Sequence, residues 1–366
     1  MKNLEILKKL VSIKSFDSCN EIVDFLKDYL KGKVKEIKII DNKFGKKSVL
    51  IGINTMLKNI QPIVLSGHID TVVNDEKMLN LSIKDGKAYG LGVIDMKCFM
   101  ASIIDKLDEL KKIKCPIVVA LSTDEETTFT SIKDIICEFK KLNIKPKFTI
   151  VGEPTKFQIM TTANGCYEYE LEIFGKSCHS SLAYYGINAI NVAAKLITFI
   201  ESEQKAYKNL TSNVGIISGG DIVNRVPEYA KICFDVRTAD LNKFQKFMNL
   251  INAKIGMLEK EYGAKIQIEQ KYDILPLQCI DYKNIENLAK YFCLGIGKFS
   301  GGCEAGYFEN IGSPTILFGV GDLAVAHKQN EFLVISDHYK YNNLLVKMIE
   351  KICDVYYWQF CCIVII

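Results

Sequence analysis

Arginine is scarce in this chain of 366 residues: nearly all of the positive charge comes from lysine, and the only arginines are Arg225 and Arg237. The formal net charge is +4, with the two signs well mixed and no basic block or patterned series of aromatic residues. Nucleic-acid-binding proteins concentrate positive charge on one face. The sequence therefore predicts no nucleic-acid partner, and each arginine becomes a candidate for a specific role.

The chain also lacks an apolar run long enough to span a bilayer, and its first residues do not resemble a signal peptide. Its 13 cysteines are scattered and include no C-x-x-C pair. This pattern favours reduced thiols over a disulfide scaffold. We therefore expect a cytoplasmic protein with no membrane partner. The apolar ending, residues 358–366, is predicted to be a last strand or tail packed on the body of the protein.

The composition is globular, with 48% hydrophobic and 25% charged residues, and the length favours two domains. In residues 1–164, apolar runs alternate with helical patterns, which predicts an α/β domain with a largely parallel sheet. The predicted helices are 4–11, 22–30, 96–110 and 132–142, and the predicted strands are 34–40, 48–53, 63–70, 117–121 and 148–151.

The pattern changes near residue 165. Residues 167–174 alternate polar and apolar side chains, as in an antiparallel strand with one solvated face. The order from there is strand, helix, strand, strand, helix, strand, which predicts a ferredoxin-like α+β unit. The α/β pattern then resumes. We therefore predict one α/β domain, residues 1–164 and 273–366, interrupted by an insert of residues 165–272.

Polar residues with metal-binding potential lie just beyond the ends of predicted strands, where open α/β sheets bind ligands. Two of the four histidines are among them. Imidazoles with several carboxylates suit a pair of divalent ions such as zinc, and a bridging carboxylate can hold two ions roughly 3.5–4 Å apart. Taken singly, these acids could also be a helix cap or solvated loop charges. The residues are His68, Asp70, Asp95, Glu125, Glu126, Glu153 and His327.

The motifs around these residues resemble the metal-dependent aminoacylase / acetylornithine deacetylase / succinyl-diaminopimelate desuccinylase family of di-zinc amidohydrolases. The resemblance covers almost the whole chain, and the motifs occur in the family's order. They are Leu10-Val11-Ser12-Ile13, Gly67-His68-Ile69-Asp70, Asp95-Met96-Lys97, Asp124-Glu125-Glu126, Gly152-Glu153-Pro154-Thr155, His179-Ser180-Ser181 and Ala326-His327-Lys328-Gln329-Asn330-Glu331.

This resemblance implies a zinc-peptidase-like catalytic domain that holds two divalent ions. Zinc is the expected metal, with cobalt or manganese as alternatives. His68 and Glu153 would hold one ion, Glu126 and His327 the other, and Asp95 would bridge them.

Further roles follow from the same resemblance. Glu125 would be the general base, and Asp70 the carboxylate that orients His68. The insert would be a lid and dimerisation domain, so that the expected partner is a second copy of the chain. From the insert, His179 would reach the neighbouring subunit's active site and stabilise the oxyanion there, a donor role that suits imidazole.

Three residues are predicted to contact the substrate. Arg237, at the end of a strand, is expected to bind a carboxylate with its planar fork, and Asn224 is a second candidate contact. Glu304 is a candidate partner for a side-chain amine, with a helix-start acid as the alternative. We expect Arg225 to be surface charge.

The sequence departs from the family pattern at four positions. Cys98 stands where glycine is usual, Cys303 where threonine is frequent, and Val320 and Gln329 where the family tends to have proline. None of these is an implied metal ligand. Cys303 leaves the substrate contacts open, because a thiol is a poorer hydrogen-bonding group than a hydroxyl.

The predicted function is hydrolysis of an N-acyl amide of a small amino acid, with N-acetyl-L-ornithine as the expected substrate. The alternatives within the family are a succinyl-diaminopimelate desuccinylase and a dipeptidase or aminoacylase. Relatives that have lost metal ligands serve as binding or scaffold domains. The completeness of the ligand set and the presence of Glu125 argue against that class here.

Overall fold

The computed structural model describes residues 3–42 and 45–358 of the protein. Most of the apolar ending, residues 359–366, for which packing on the body of the protein was predicted, lies outside the described residues. The helices are α1 (Asn3–Ser12), α2 (Asn20–Leu30), α3 (Lys97–Asp105), α4 (Leu107–Leu110), α5 (Thr130–Leu142), α6 (Ala189–Gln204), α7 (Leu241–Tyr262), α8 (Tyr282–Phe292), α9 (Ala305–Asn310) and α10 (Ile335–Cys353).

Most of the strands are short. They are β1 (Glu36–Asp41), β2 (Lys47–Gly52), β3 (Ile63–His68), β4 (Ser82–Lys84), β5 (Lys87–Tyr89), β6 (Ile117–Ser122), β7 (Phe148–Val151), β8 (Ile159–Ala163), β9 (Gly165–Phe174), β10 (Leu210–Gly219), β11 (Tyr229–Thr238), β12 (Lys265–Ile274), β13 (Leu277–Gln278), β14 (Ile296–Phe299), β15 (Thr315–Leu317) and β16 (Phe332–Val334).

The chain divides into two compact units. The first comprises Met1–Ala163, Leu277–Ser300 and Glu304–Ile366, and the second comprises Asn164–Pro276 and Gly301–Cys303. The predicted insert, residues 165–272, lies within the second unit.

The first unit is built on a mixed sheet in the order β1-β2-β6-β3-β7-β15-β8-β13, with β14 also paired to β8. Its centre, β6-β3-β7-β15, is parallel, whereas β1, β2 and β13 pair antiparallel. All residues of β3, β6 and β7 are buried, as expected where helices cover both faces of a parallel sheet. The core joins these strands to α1, α2, α3 and α10. The predicted mixed α/β architecture is confirmed.

Two predicted elements differ in detail. The strand predicted to run to Asp70 ends at His68, so the polar residues after it belong to a loop. The single helix predicted over 96–110 is two helices, because Lys106 leaves the helical conformation with φ −103° and ψ 11°. A small antiparallel sheet, β16-β5-β4, was not predicted.

The second unit is an antiparallel sheet in the order β10-β11-β9-β12. Helices α6 and α7 contribute buried apolar residues to the same core as the strands β9 and β11. In chain order the unit is strand, helix, strand, strand, helix, strand, with β9 and β11 at the centre of the sheet. The predicted ferredoxin-like topology is therefore confirmed.

None of the described helices combines the length and the apolar character needed to span a membrane.

Candidate metal centre

Acidic and imidazole side chains gather at one edge of the first unit's sheet. His68 is the last residue of β3, Glu125 and Glu126 follow β6, Glu153 follows β7, and His327 follows β15. The carboxyl ends of parallel strands meet at the same edge of a sheet, and the chain therefore brings these distant segments together.

One group consists of His68, Asp95 and Glu153, whose ligand atoms lie within 4.8 Å of one another. All three side chains are buried. His68 Nε2 is 3.1 Å from Asp95 Oδ1. Glu153 Oε1 is buried and has no hydrogen-bond partner among the described residues. A buried carboxylate oxygen with no donor is costly unless a cation binds it.

A second group consists of Asp95, Glu126 and His327, again within 4.8 Å. His327 Nε2 is 2.9 Å from Glu126 Oε1 and 3.2 Å from Asp95 Oδ2. Asp95 thus directs one oxygen to each histidine and belongs to both groups. Two nitrogen-and-oxygen donor sets that share a carboxylate are the arrangement in which two divalent ions fit. The individual ligand roles remain predictions.

The electrostatics of the cluster favour positive charge. Hydrogen bonds to Asp95 and Glu126 raise the pKa of His327 to about 10. Burial opposes the charged form of His68, yet hydrogen bonds to Asp70 and Asp95 hold its pKa well above the usual value. Burial would likewise raise the pKa of Asp95, but hydrogen bonds from His327 and His68 lower it. The site therefore attracts the kind of charge that a divalent cation supplies.

Two other acids of the cluster have pKa values that are raised, in contrast to the lowered pKa of Asp95. Burial and repulsion by Glu153, Glu126 and Asp95 raise the pKa of Glu125 well above its usual value. Burial and the charge of Asp95 do the same to the pKa of Glu153. Glu125 is only partly exposed, and its carboxylate lies within 4.8 Å of ligand atoms of His68 and Glu126. A carboxylate with a raised pKa is a stronger proton acceptor.

Asp70 makes contacts beyond the one that the family resemblance implies. His68 Nδ1 lies 3.0 Å from the Asp70 main-chain oxygen and 3.5 Å from its carboxylate Oδ1. The carboxylate accepts hydrogen bonds from the main-chain N–H groups of Glu125, at 3.2 Å, and Glu126, at 3.0 Å. Asp70 therefore both aims the imidazole and fixes the loop that carries two acids of the cluster.

Asp124 is a structural residue of the site that the sequence did not reveal. Its buried carboxylate accepts hydrogen bonds from the main-chain N–H groups of Thr130 and Ser131, and Lys46 Nζ lies 3.3 Å away. These contacts hold the loop between β6 and α5. The hydroxyl-rich sequence after Asp124 was the available signal, because an aspartate before serines and threonines often closes a local turn.

Glu304 lies in the first unit and is only 1% exposed. Ser66 Oγ donates to its Oε2 at 3.1 Å, and burial raises the pKa of Glu304 to about 7. Glu304 lies at the N-cap position of α9, as the alternative of a helix-start acid requires, although its side chain makes no capping hydrogen bond. The predicted substrate contact stays a prediction.

The other candidate residues lie in the second unit. His179 is exposed, and its Nδ1 accepts a hydrogen bond from the Ser181 main-chain N–H at 3.2 Å. The exposed Asn224 accepts a hydrogen bond from the Ser180 N–H through its main-chain oxygen. Arg237 Nε donates to Asp235 Oδ2 at 2.7 Å.

Arg225 pairs with Asp221 on an exposed segment, as its predicted surface role requires.

Comparison with known sequences gives the family directly. A family model described as peptidase family M20/M25/M40 matches residues 64–351. The chain is 28% identical to an acetylornithine deacetylase of Photorhabdus laumondii subsp. laumondii over 380 residues, covering 96% of this chain and 97% of the relative. It is 31% identical to an acetylornithine deacetylase of Pasteurella multocida over 314 residues, covering 80% of each chain.

Solved structures share the fold. Aminopeptidase PepT from Bacillus cereus ATCC 10987 superposes with a TM-score of 0.77 at 20% identity, covering 96% of this chain and 98% of that one. The YXEP protein of Bacillus subtilis, described as a dinuclear metal-binding peptidase, gives a TM-score of 0.72 at 15% identity, covering 96% and 97%. The prediction of a metal-dependent hydrolase is confirmed by the family match and the deacetylase relatives. The chain belongs to the peptidase family M20/M25/M40.

Proposed function

We propose that this protein hydrolyses N-acetyl-L-ornithine to L-ornithine and acetate, a reaction of arginine biosynthesis, with two zinc ions bound at the candidate metal centre. The observation that carries the proposal is the pair of donor groups that share Asp95. Relatives named acetylornithine deacetylase support the choice of substrate. Zinc suits donor sets of imidazole nitrogen and carboxylate oxygen.

In this mechanism His68 and Glu153 would hold one ion, Glu126 and His327 would hold the other, and Asp95 would contribute to both sites. Bound divalent ions supply a Lewis acid for the amide carbonyl and lower the pKa of water.

Glu125 supplies the proton transfer. Its carboxylate takes a proton from the water whose oxygen attacks the carbonyl carbon. The same proton then passes from Glu125 to the amine nitrogen as the C–N bond breaks, which releases the amine and acetic acid. The acid then gives the second proton of the water to the amine, so acetate and a protonated amine leave. The raised pKa of Glu125 fits this exchange, because the group must both accept and release a proton.

His179 is proposed to donate a hydrogen bond to the oxyanion, in the active site of a partner subunit. Its Nδ1 accepts a main-chain N–H, which places the proton of a neutral imidazole on Nε2. Nε2 has no hydrogen-bond partner in the part of the chain that the structure describes. The ring is therefore prepared as a donor toward an outside acceptor.

We propose a homodimer that forms through the second unit. Strand β10 lies at the edge of its sheet, and seven of its residues are exposed. Ile216 is 59% exposed and Ile217 is 54% exposed. An exposed apolar edge strand offers unpaired N–H and C=O groups to a second copy of the chain. Such pairing would explain why this edge carries isoleucines.

The scarcity of arginine supports a substrate with one carboxylate. Arg237 is proposed to bind that carboxylate, and Asn224 is proposed as a further substrate contact. Arg237 uses Nε for Asp235, and the outer nitrogens of its fork have no ion-pair partner within the described ranges 3–42 and 45–358. Succinyl-diaminopimelate carries more carboxylates and needs more positive groups, for which lysines are poorer because they lack the guanidinium fork.

A side-by-side assay tests the proposal. We expect kcat/KM for N-acetyl-L-ornithine to exceed that for succinyl-diaminopimelate by tenfold or more, about 1–3 kcal/mol of discrimination. A dipeptide panel run with the same metal serves as the third arm. The opposite order would assign the protein to the desuccinylase branch, and faster turnover of dipeptides would make it a dipeptidase.

We also propose a cytoplasmic location. No disulfide joins the cysteines that the structure describes, which fits a reducing compartment.

A further inference from the structure

We propose that Glu331 is a positioning residue that holds the loop carrying Asp95, an inference that rests on the proposed metal centre. Glu331 lies four residues after His327 and immediately precedes β16. It is 1% exposed and belongs to neither donor group. Its carboxylate is directed at main-chain N–H groups.

Both carboxylate oxygens of Glu331 accept hydrogen bonds from this loop. Oε1 accepts from the N–H of Ile94 at 2.9 Å and of Asp95 at 3.4 Å, while Oε2 accepts from the N–H of Gly92 at 3.1 Å. The main-chain oxygen of Glu331 also accepts from the Gly90 N–H at 3.3 Å. Each carboxylate oxygen can accept more than one hydrogen bond, so a single side chain serves three N–H donors.

The loop needs such an acceptor because it is buried and irregular. Residues 91–96 are all buried and precede the first residue of α3, so these N–H groups have no helical or strand partners. Gly92 has φ +74°, and a Cβ there would lie 2.8 Å from Thr71 Cγ2. Without Glu331, three buried N–H groups would lose their acceptor. The free-energy cost of removing each group from water would then no longer be offset by a hydrogen bond.

This contact bears on the metal centre and not only on folding. One residue ties the loop of Asp95 to the segment that carries His327. Asp95 lies 3.1 Å from His68 Nε2 and 3.2 Å from His327 Nε2, so a displaced Asp95 disturbs both donor groups. Glu331 therefore acts through Asp95, as partners of metal ligands commonly do.

The chain offers a matched control. Glu309 also uses its carboxylate to accept two main-chain N–H groups, those of Gln278 and Ile280, each at 2.7 Å. It belongs to neither donor group. Glu331→Gln and Glu309→Gln make the same chemical change in a similar bonding pattern, and only the first is expected to affect the metal centre.

The experiment compares the wild type, Glu331→Gln and Glu309→Gln by two readouts. Hydrogen exchange of the metal-free proteins is followed in peptides that cover residues 90–96, and zinc binding is followed by titration. We expect hydrogen exchange in that segment to be at least tenfold faster in Glu331→Gln than in Glu309→Gln. Glu331→Gln should also bind one or both zinc ions about 10–100-fold more weakly than the wild type.

Equal exchange in residues 90–96 and equal zinc affinities for the two variants would overturn the inference. Failure of the wild type to bind zinc would instead overturn the proposed metal centre. The exchange result would still test whether Glu331 fixes the loop. If Glu331→Gln does not fold, Glu331→Asp, which keeps the charge on a shorter side chain, is measured in its place and should show the same two effects.

Discussion

Glu125 lies outside both of the donor groups that share Asp95. If it moves protons and holds no ion, Glu125→Gln should keep both zinc ions and lower kcat by about 10²–10⁴-fold, the usual effect of losing a general base. Zinc content and steady-state kinetics measure this. Glu126→Gln is the matched control, because it should lose an ion. Loss of zinc from Glu125→Gln would show that Glu125 is itself a ligand.

Asp124 gives a pH-dependent contribution to stability. Burial alone would raise the pKa of its carboxyl group, but hydrogen bonds from Ser131, Thr128 and Thr130 lower the pKa to about 2. The unfolded value is about 3.9. A lowered pKa in the folded protein means that the contribution is present above pH 4 and is lost as the pH falls toward 2.

Asp124→Asn should therefore lower the free energy of unfolding at pH 7 by about 2 kcal/mol, and the difference from the wild type should shrink as the pH falls from 4 to 2. Urea denaturation of the metal-free proteins at pH 7 and pH 3 measures this. Asp108→Asn is the control, since the Asp108 side chain is 92% exposed. An equal difference at both pH values would contradict the assignment.

The sequence identified the donors of the cluster because each lies in a short motif after a strand. It did not identify the partners that hold their loops. Glu331 and Gly92 are 239 positions apart, and no periodicity or spacing connects a carboxylate to main-chain N–H groups at that distance. Such contacts depend on how the loops meet in space, which the local sequence does not specify.

At the scale of elements, long periodic segments were predictable and short ones were not. Helix α7, one of the two helices that the sequence predicted in the insert, runs from Leu241 to Tyr262, with an Asp240 cap and Gly263 at its end. Its buried residues recur at helical spacing, which is why the pattern was visible. The strands β4, β5 and β16 have three residues each, and they exist only because they pair with one another.

The edge strand β10 carries the prediction about assembly. Ile217→Lys should convert a dimer into a monomer, because a charge on an exposed edge opposes strand pairing. Light scattering coupled to size-exclusion chromatography measures the mass. Ile83→Lys is the control, because Ile83 is 60% exposed on the edge strand β4 of the other unit. A dimer that survives Ile217→Lys, or a monomeric wild type, would contradict the proposed interface.

At the scale of the whole molecule, the sequence indicated two domains because hydrophobic periodicity changes near residue 165. It did not indicate that Gly301–Cys303 belongs with the second unit. A three-residue segment has no periodicity, and only its spatial contacts assign it. The order of motifs along the chain, in contrast, was sufficient to find the family that residues 64–351 match.

The central claim is that two divalent ions bind per chain at the donor groups that share Asp95. Titration of the metal-free protein with zinc, with elemental analysis and deacetylase activity measured at each step, tests it most directly. We predict two ions per chain, with activity that rises further as the second ion binds. Saturation at one ion, with no gain in activity from more zinc, would contradict the claim.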